Sequence, residues 1–267
     1  MAFTDNAELF ASVEEDGINL VVRHIMRQRP SLVNYGTAWV AAAPGRRLCQ
    51  PIDAAPDVIS RQNPLLTIMD PIPIPLSNDA YALDFCAQIT DAQIDLHPAD
   101  VITLPPELSP LPDQRAAVRG RACVGLGCPD AATLTGLPAP PPERPAEPTV
   151  LHPADDAMTC FCLEFFAVAG AAITGTGQLQ VTAALDKVEI VDVAPAGLES
   201  IVECALHVLI VVGLLPSLRV AVGTLLLDLL AQLPGVVLSV PSTPGVPNDP
   251  AIEDDRFKLF LNLKVQS

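Results

Sequence analysis

The residues best suited to special chemistry are the cysteines of two short segments, CVGLGC and CFC. They place Cys123, Cys128, Cys160 and Cys162 on two strand-like stretches. Because side chains alternate along a strand, Cys160 and Cys162 share a face, which permits a cross-strand disulfide or a four-sulfur zinc site. The spacing differs from the usual CxxC knuckle, and free cysteines also pack as small apolar side chains. These cysteines could be inert thiols, form one disulfide or bind a metal ion, and the residues alone do not decide among the three. Of these alternatives, metal binding is the one that we do not expect.

No other motif points to catalysis. The histidines are far apart, and none belongs to an HExxH pattern. The sequence has no GxSxG elbow, no GxGxxG dinucleotide loop and no P-loop. The acidic runs at Asp155–Asp156 and Glu253–Asp255 are typical of solvated surface and lack the spaced oxygen ligands of a calcium loop. We therefore expect a protein that is not an enzyme and that uses no cofactor.

Composition narrows the function further. The chain has 267 residues, a net charge of −16, 28 prolines and seven cysteines. So acidic a chain is not expected to bind nucleic acid or anionic membrane surfaces. An odd number of scattered cysteines does not resemble a disulfide framework. MAFTDNAELF lacks the features of a secretory signal. These features predict a cytoplasmic protein, although export without a signal peptide stays open.

A long apolar stretch near the C-terminus, Glu199 to Leu233, raises the question of membrane insertion. Pro216 divides it into two predicted helices, 198–215 and 217–233, each shorter than the roughly 20 residues that a span needs. Both are apolar on nearly every face, which is typical of a helix buried on all sides. We expect burial in protein and no stable transmembrane insertion, and a membrane-inserting hairpin with Pro216 at its tip stays as an alternative.

The preceding chain predicts mostly strands. A helix is expected within residues 1–30, and Trp39 is expected to anchor a loop to the body. Prolines at 71, 73 and 75 restrict the next segment to an edge strand or an extended arm. From Tyr81 onwards the apolar residues alternate, with Asp84, Gln88 and Thr90 on the opposite face. The phase slips after Thr90, which predicts a bulge.

Further strands are predicted on both sides of a proline-rich segment. QRAAVRGRACVGLGCP and DAMTCFCLEFFAVAGAAITG are strand-like, and residues 129–157 between them predict an exposed linker. GQLQVTAALDKVEIVDVAPAGL predicts a second long strand that shifts phase near Asp186. RFKLFLNLKV alternates cleanly and predicts a C-terminal strand.

The stretch LQVTAALDKVEIVDVAPAGLESIVECAL, a long strand that runs into an apolar helix, resembles the tubular lipid-binding (TULIP) superfamily. DFCAQITDAQIDLHP fits the style of its strands, and the resemblance covers residues 80–267. It implies an α+β fold in which a long, strongly curved antiparallel sheet wraps around an apolar helix, within a single domain spanning residues 1–267. Pro216 departs from the family's pattern, because it breaks the central helix.

What the resemblance implies about function is non-catalytic binding of a lipid or another apolar ligand between sheet and helix. The residues expected to line the cavity are Tyr81, Leu83, Phe85, Val188, Ile190, Leu206, Ile210 and Leu214. The alternative is a structural or interaction subunit of a multiprotein assembly, in which proline-rich segments dock to protein partners or to further copies of the chain.

Overall fold

The computed structural model describes residues 7–74, 77–174, 180–191, 236–239 and 248–265. The chain divides into two compact units. The single domain expected from the sequence stays a prediction. Unit 1 comprises Met1–Val22, Ala92–Arg119 and Phe165–Ser267, and unit 2 comprises Arg23–Asp91 and Gly120–Glu164.

One helix of the described chain is long, and the others are single turns or little more. They are α1 Glu15–Gln28, α2 Ala38–Ala42, α3 Pro44–Arg47, α4 Pro56–Ser60, α5 Ala131–Thr135 and a 3-10 turn at Pro30–Leu32. In α1, Glu15 and Asp16 occupy the first turn and Arg27 the last, which suits the helix dipole. The basic residues Arg23 and Arg27 therefore lie in the C-terminal half of the helix.

Strands make up most of the remaining structure. They are β1 Leu9–Glu14, β2 Asn34–Gly36, β3 Thr67–Ile68, β4 Ile72–Pro73, β5 Tyr81–Leu83, β6 Phe85–Leu96, β7 Ala116–Leu126, β8 Thr149–Leu151, β9 Thr159–Thr174, β10 Gln180–Val191, β11 Val236–Ser239, β12 Ala251–Glu253 and β13 Arg256–Val265. Strands β6, β7 and β9 and helix α1 carry residues of both units. The strands predicted on CVGLGC, CFC and the C-terminal segment are confirmed.

In unit 1, β13 is the central strand of a small antiparallel sheet. It pairs with β1, β11 and β12, and the register places Phe10 opposite Phe260 with ring centroids 5.2 Å apart. Strand β1 corrects the expected N-terminal helix, because Leu9–Glu14 pairs with β13 before α1 begins.

Two apolar clusters lie among the described residues of unit 1. One contains Ile102, Leu108, Leu111, Ala117, Phe166 and Val168. The other contains Leu96, Ala116 and Ile252, with Ile18 and Phe257 against it. Burial of these side chains is the main stabilising term of the unit.

In unit 2, the strands of the larger sheet follow the order β9-β7-β6-β2-β3. Strand β2 pairs antiparallel with β6 and parallel with β3. A smaller sheet has the order β4-β5-β8. The proline-containing β4 lies at the edge of this sheet, as its sequence predicted.

Two details of unit 2 differ from the sequence prediction. The predicted long strand from Tyr81 divides at Asp84 into β5 and β6, which lie in different sheets. The bulge expected after Thr90 stays a prediction. The proline-rich segment 129–157 is also more than an exposed linker. It contains α5 and β8, its Leu151 is buried with Tyr81, and Pro138 O accepts a hydrogen bond of 2.8 Å from the Tyr81 hydroxyl.

The class of the fold is confirmed as α+β with mostly antiparallel strands. Within the described ranges no sheet is strongly curled, and no sheet wraps an apolar helix. The predicted helices 198–215 and 217–233 lie outside the described residues. Among the helices that are described, none has the length and apolar character needed to cross a bilayer.

Candidate ligand-binding cleft

Unit 2 contains a cleft with a volume of about 450 Å³. Its walls come from the end of α1, from β2 and β6, and from the chain that follows α3. The apolar lining consists of Met26, Val33, Pro51, Ile52 and Ile89. The polar lining consists of Arg23, Arg27, Asn34, Gln50, Asp53, Gln88, Thr90, Asp91 and Arg121. The cleft is therefore amphipathic.

A buried amide network forms the polar floor of the cleft. Gln88, 2% exposed, accepts a hydrogen bond of 2.9 Å from Gln50 N and donates to Gln50 O at 2.9 Å and to Asn34 Oδ1 at 3.1 Å. Asn34, 5% exposed, donates to Pro30 O at 2.7 Å. Such pairing offsets the cost of burying amides. The network fixes the segment around Gln50 against β6, which makes the cleft preformed.

Charge at the rim is divided between arginines and aspartates. Arg27 Nε lies 3.3 Å from Asp53 Oδ1, and both side chains are largely exposed, so the pair adds little stability. Arg23 and Arg121 are the other cations of the lining, and Asp91 is the other acid. With three arginines and two aspartates, the lining carries an excess of one positive charge on a chain whose net charge is −16.

A second polar cluster in unit 2 is built on Asp84. This carboxylate is 1% exposed, and its two oxygens are satisfied separately. Oδ1 accepts from the Thr37 hydroxyl at 2.5 Å, and Oδ2 lies 2.6 Å from His152 Nδ1. A buried carboxylate that orients an imidazole is one half of a catalytic triad. Among the described residues, no serine, threonine or cysteine side chain hydrogen-bonds to His152. The contact between Asp84 and His152 links the segment that follows β8 to the strand break at Asp84.

Aromatic and cationic groups extend this link. The Trp39 ring stacks on His152 with centroids 5.2 Å apart and planes inclined by 15°. The Arg47 guanidinium lies 3.8 Å from the centroid of Trp39, donates to Trp39 O at 2.6 Å, and pairs with Asp156 Oδ1 at 2.5 Å. Through its cation–π contact with Trp39 and its charged hydrogen bond to Asp156, Arg47 therefore holds the segment around Trp39 to the segment around Asp156. Trp39 holds its segment to the chain around His152, but it lies on α2 and not in the predicted loop. Asp156 is more than solvated surface, because it pairs with Arg47.

The cysteines of unit 2 form two disulfides. Cys123–Cys162 joins β7 to β9, and this cross-strand bond was among the alternatives left open by the sequence. Cys49–Cys160 joins the chain after α3 to β9 and was not foreseen. In the described part of the chain, no three His, Cys, Asp or Glu side chains are placed to hold a metal ion. Disulfides persist mainly in oxidising compartments, which weighs against the cytoplasmic location expected from the sequence; that location stays a prediction.

The residues predicted to line a cavity are distributed over the chain. Tyr81, Leu83 and Phe85 lie in unit 2, where Tyr81 and Leu83 pack in an apolar cluster around Leu151. Val188 and Ile190 lie on β10 in unit 1. The remaining predicted residues, Leu206, Ile210 and Leu214, are outside the described residues.

None of the five that the structure describes lines the cleft of unit 2. Sequence inspection missed the residues that do, in part because the polar ones on β6 alternate with the apolar residues of that strand and so lie on its opposite side. Gln88 was assigned to that side. Its burial depends on Gln50 and Asn34, which are distant in sequence.

Comparison with known proteins identifies no family. No family model matches the chain, and no curated protein matches it. Among solved structures the chain is similar to one described as lipopolysaccharide binding protein, with 12% sequence identity and a TM-score of 0.33. The match covers 97% of this chain and 41% of that one. A similarity at this TM-score supports no conclusion about the fold or the function of this chain.

Proposed function

We propose that the protein binds a lipid or another apolar ligand and catalyses no reaction. The preformed cleft of unit 2 carries the proposal. Its volume of about 450 Å³ falls within the usual size of small-molecule sites. Met26, Ile52 and Ile89 give it apolar walls, and an apolar ligand placed there gains from leaving water.

The lining also favours a ligand with one polar end. Arg23, Arg27 and Arg121 outnumber Asp53 and Asp91 in the lining, so a carboxylate or another anionic group would find guanidinium donors there. The apolar part of such a ligand would rest against Ile52 and Ile89. A fatty acid is the simplest molecule of this chemistry.

The apolar sequence from 198 to 233 supports the same class of ligand. Its composition, rich in Leu, Val and Ala, is what the wall of an apolar cavity requires. A contribution of this segment to ligand binding, as the TULIP resemblance implies, belongs to the proposal.

The first test is native mass spectrometry of the purified protein, followed by organic extraction and identification of bound lipid. Titration with a fluorescent fatty acid then measures affinity. Ile52→Trp fills the cleft, and we expect at least a tenfold loss of affinity. The matched control is Ile59→Trp, because Ile59 is 58% exposed on α4 in the same unit and is not part of the lining.

An Ile52→Trp variant that folds and binds as tightly as the wild type would refute the cleft as the site. Ala205→Trp tests the C-terminal segment separately. If it alone abolishes uptake, the ligand lies against that segment and not in the cleft of unit 2.

A second candidate function is that of a structural or interaction subunit. The observation that favours it is a group of exposed apolar residues on short edge elements: Ile68 is 62% exposed, Met69 43% and Ile72 43%. Exposed apolar groups of this kind often mark protein interfaces. Light scattering tests it: a defined oligomer that Ile68→Glu dissociates supports assembly, and a wild-type monomer that copurifies with no stoichiometric partner contradicts it.

A further inference from the structure

Three cysteines of unit 2 meet at one point of the sheet. Cys49 and Cys160 are bonded to each other, and the buried thiol of Cys86 lies 3.6 Å from Cys49 Sγ. A Cβ atom placed on Gly125 would lie 2.7 Å from the sulfur of Cys49, 2.8 Å from that of Cys86 and 3.1 Å from that of Cys160. The three sulfurs therefore occupy the space that a side chain at position 125 would fill.

The order of the strands explains this arrangement. Gly125 lies on β7, and its neighbours β6 and β9 carry Cys86 and Cys160. Adjacent strands are about 4.8 Å apart, so the two flanking strands are separated by about 9.6 Å. A disulfide needs a Cα–Cα distance below about 7 Å, so a direct Cys86–Cys160 bond is excluded without a change in the sheet.

Cys49 reaches both flanking cysteines because its own segment lies over β7. The amide network of Gln88 holds the adjacent Gln50 to β6 on the same face as Cys86. Cys49 is thus bonded to Cys160 on one side and in contact with Cys86 on the other. It is the one sulfur of the three that can bond to either of the other two.

We propose that Cys49, Cys86 and Cys160 form a thiol–disulfide exchange site, in which Cys49 changes its partner from Cys160 to Cys86. Cys86 loses its proton to solvent base, and its thiolate attacks Cys49 Sγ. The Cys49–Cys86 bond forms as the Cys49–Cys160 bond breaks, and the electron pair leaves with Cys160 Sγ, which then takes a proton from water. No external oxidant or reductant is consumed.

The exchange moves a free thiol from a buried to an exposed position. Cys86 is 0% exposed, whereas Cys160 belongs to an exposed position at the start of β9. Burial also raises the pKa of the Cys86 thiol, so the attacking thiolate is scarce at neutral pH and increases as the pH rises. The product carries, at position 160, a thiol that reagents or partner thiols can reach.

The test uses a background in which Cys128 and Cys204 are replaced by Ser, so that the cysteines left are the two disulfides and Cys86. Folded protein is incubated with N-ethylmaleimide at pH 7 to 9, quenched with acid, digested with pepsin without reduction and analysed by mass spectrometry. We expect the label on Cys160 together with a Cys49–Cys86 linked peptide. The labelling rate should rise by up to tenfold per pH unit and become independent of reagent concentration when exchange limits it.

The matched control is Cys86→Ser in the same background. It removes the attacking sulfur, so Cys160 should stay unlabelled while Cys49–Cys160 remains intact. Label on Cys160 in this variant, or an intact Cys49–Cys160 bond with no label on Cys160 in the background protein at pH 9, overturns the proposal.

Cys160→Ser provides an independent measurement. With its usual partner gone, Cys49 should form a disulfide with Cys86 under glutathione disulfide, and circular dichroism should match that of the wild type. If the variant folds and both thiols stay reduced, the two sulfurs cannot bond and the proposal fails.

Discussion

Glu15 should make unit 1 less stable as the pH rises from 5 to 8. Its side chain is buried at the start of α1, and its Oε2 accepts a hydrogen bond of 2.8 Å from Leu96 N. Burial raises the pKa of Glu15 from 4.5 to about 7, and the charges of Asp95 and Asp255 act in the same direction.

Asp95 explains why the protonated form fits this place. It is 0% exposed, and its Oδ2 accepts from Val101 N at 2.9 Å and from Ile102 N. Its other oxygen, Oδ1, is buried, and no donor among the described residues reaches it. A proton on Glu15 supplies the missing donor. Asp255 also has a buried oxygen without a described partner, which adds to the cost of a second negative charge.

The direction and the size of this change in stability follow from the number of protons that the folded and the unfolded chain bind. Below pH 4.5 both folded and unfolded chains carry the proton, and the contribution is fully present. Between pH 4.5 and about 7 only the folded chain holds it, so stability falls as the pH rises and is lost above the folded-state pKa. The full shift corresponds to about 3 kcal/mol, and partial screening by solvent reduces our expectation to about 1–2 kcal/mol.

The perturbation is Glu15→Gln, which is neutral at every pH and whose amide can donate to Asp95 Oδ1. We expect the variant to be more stable than the wild type by about 1–2 kcal/mol at pH 8, with no advantage at pH 4.5. Urea unfolding of the oxidised protein at several pH values measures this. Glu14→Gln is the control, because Glu14 pairs with Arg256 at 2.9 Å on the surface and should change the free energy of unfolding by less than about 1 kcal/mol.

The carboxyl of Glu15 can also be followed directly by carbon-13 NMR. A titration midpoint near 4.5, or a Glu15→Gln variant that loses stability with pH as steeply as the wild type, would refute the proton-sharing explanation.

Three further outcomes are expected. Asp84→Ala leaves the Thr37 hydroxyl and the His152 imidazole without their buried acceptor and should lower the free energy of unfolding by about 2–3 kcal/mol, measured by urea denaturation; a change below 0.5 kcal/mol would contradict the network's role. Replacing both Cys123 and Cys162 by Ser opens a loop of 39 residues and should cost roughly 4 kcal/mol, measured in the same way, and an unchanged midpoint would contradict it. Gly125→Ala places a Cβ among three sulfurs, so oxidised protein should show a lower yield of Cys49–Cys160 linked peptide by mass spectrometry, and a wild-type yield would contradict the crowding.

Local sequence patterns predicted a strand correctly where the local preference and the pairing with neighbouring strands agree. β7, β9 and β13 coincide with the alternating segments found in the sequence. The N-terminal segment differs because the spacing of Phe10 and Val13 is that of one helix face, whereas the segment forms β1. Pairing with β13, about 240 residues later in the chain, determines that this segment forms a strand. A local stretch of sequence does not contain that pairing partner.

The burial of two polar residues in the sheet was not predicted, for a related reason. Asp84 and Gln88 alternate with apolar neighbours, which places them on the polar face of the predicted strand. Both are buried, because Thr37, His152 and Gln50 satisfy their polar atoms. A carboxylate or amide is buried when distant donors reach it, and alternation along its own strand carries no information about them.

The cysteine site shows which long-range contacts leave a recognisable signal in the sequence. The pairing of Cys49 could not be predicted, because it depends on an amide network that fixes a loop over the sheet. Gly125 is different. A glycine inside a strand between two cysteines, as in CVGLGC, indicates close approach of another group. The structure places three sulfurs there, so the missing side chain, more than the cysteine spacing, was the signal for the site.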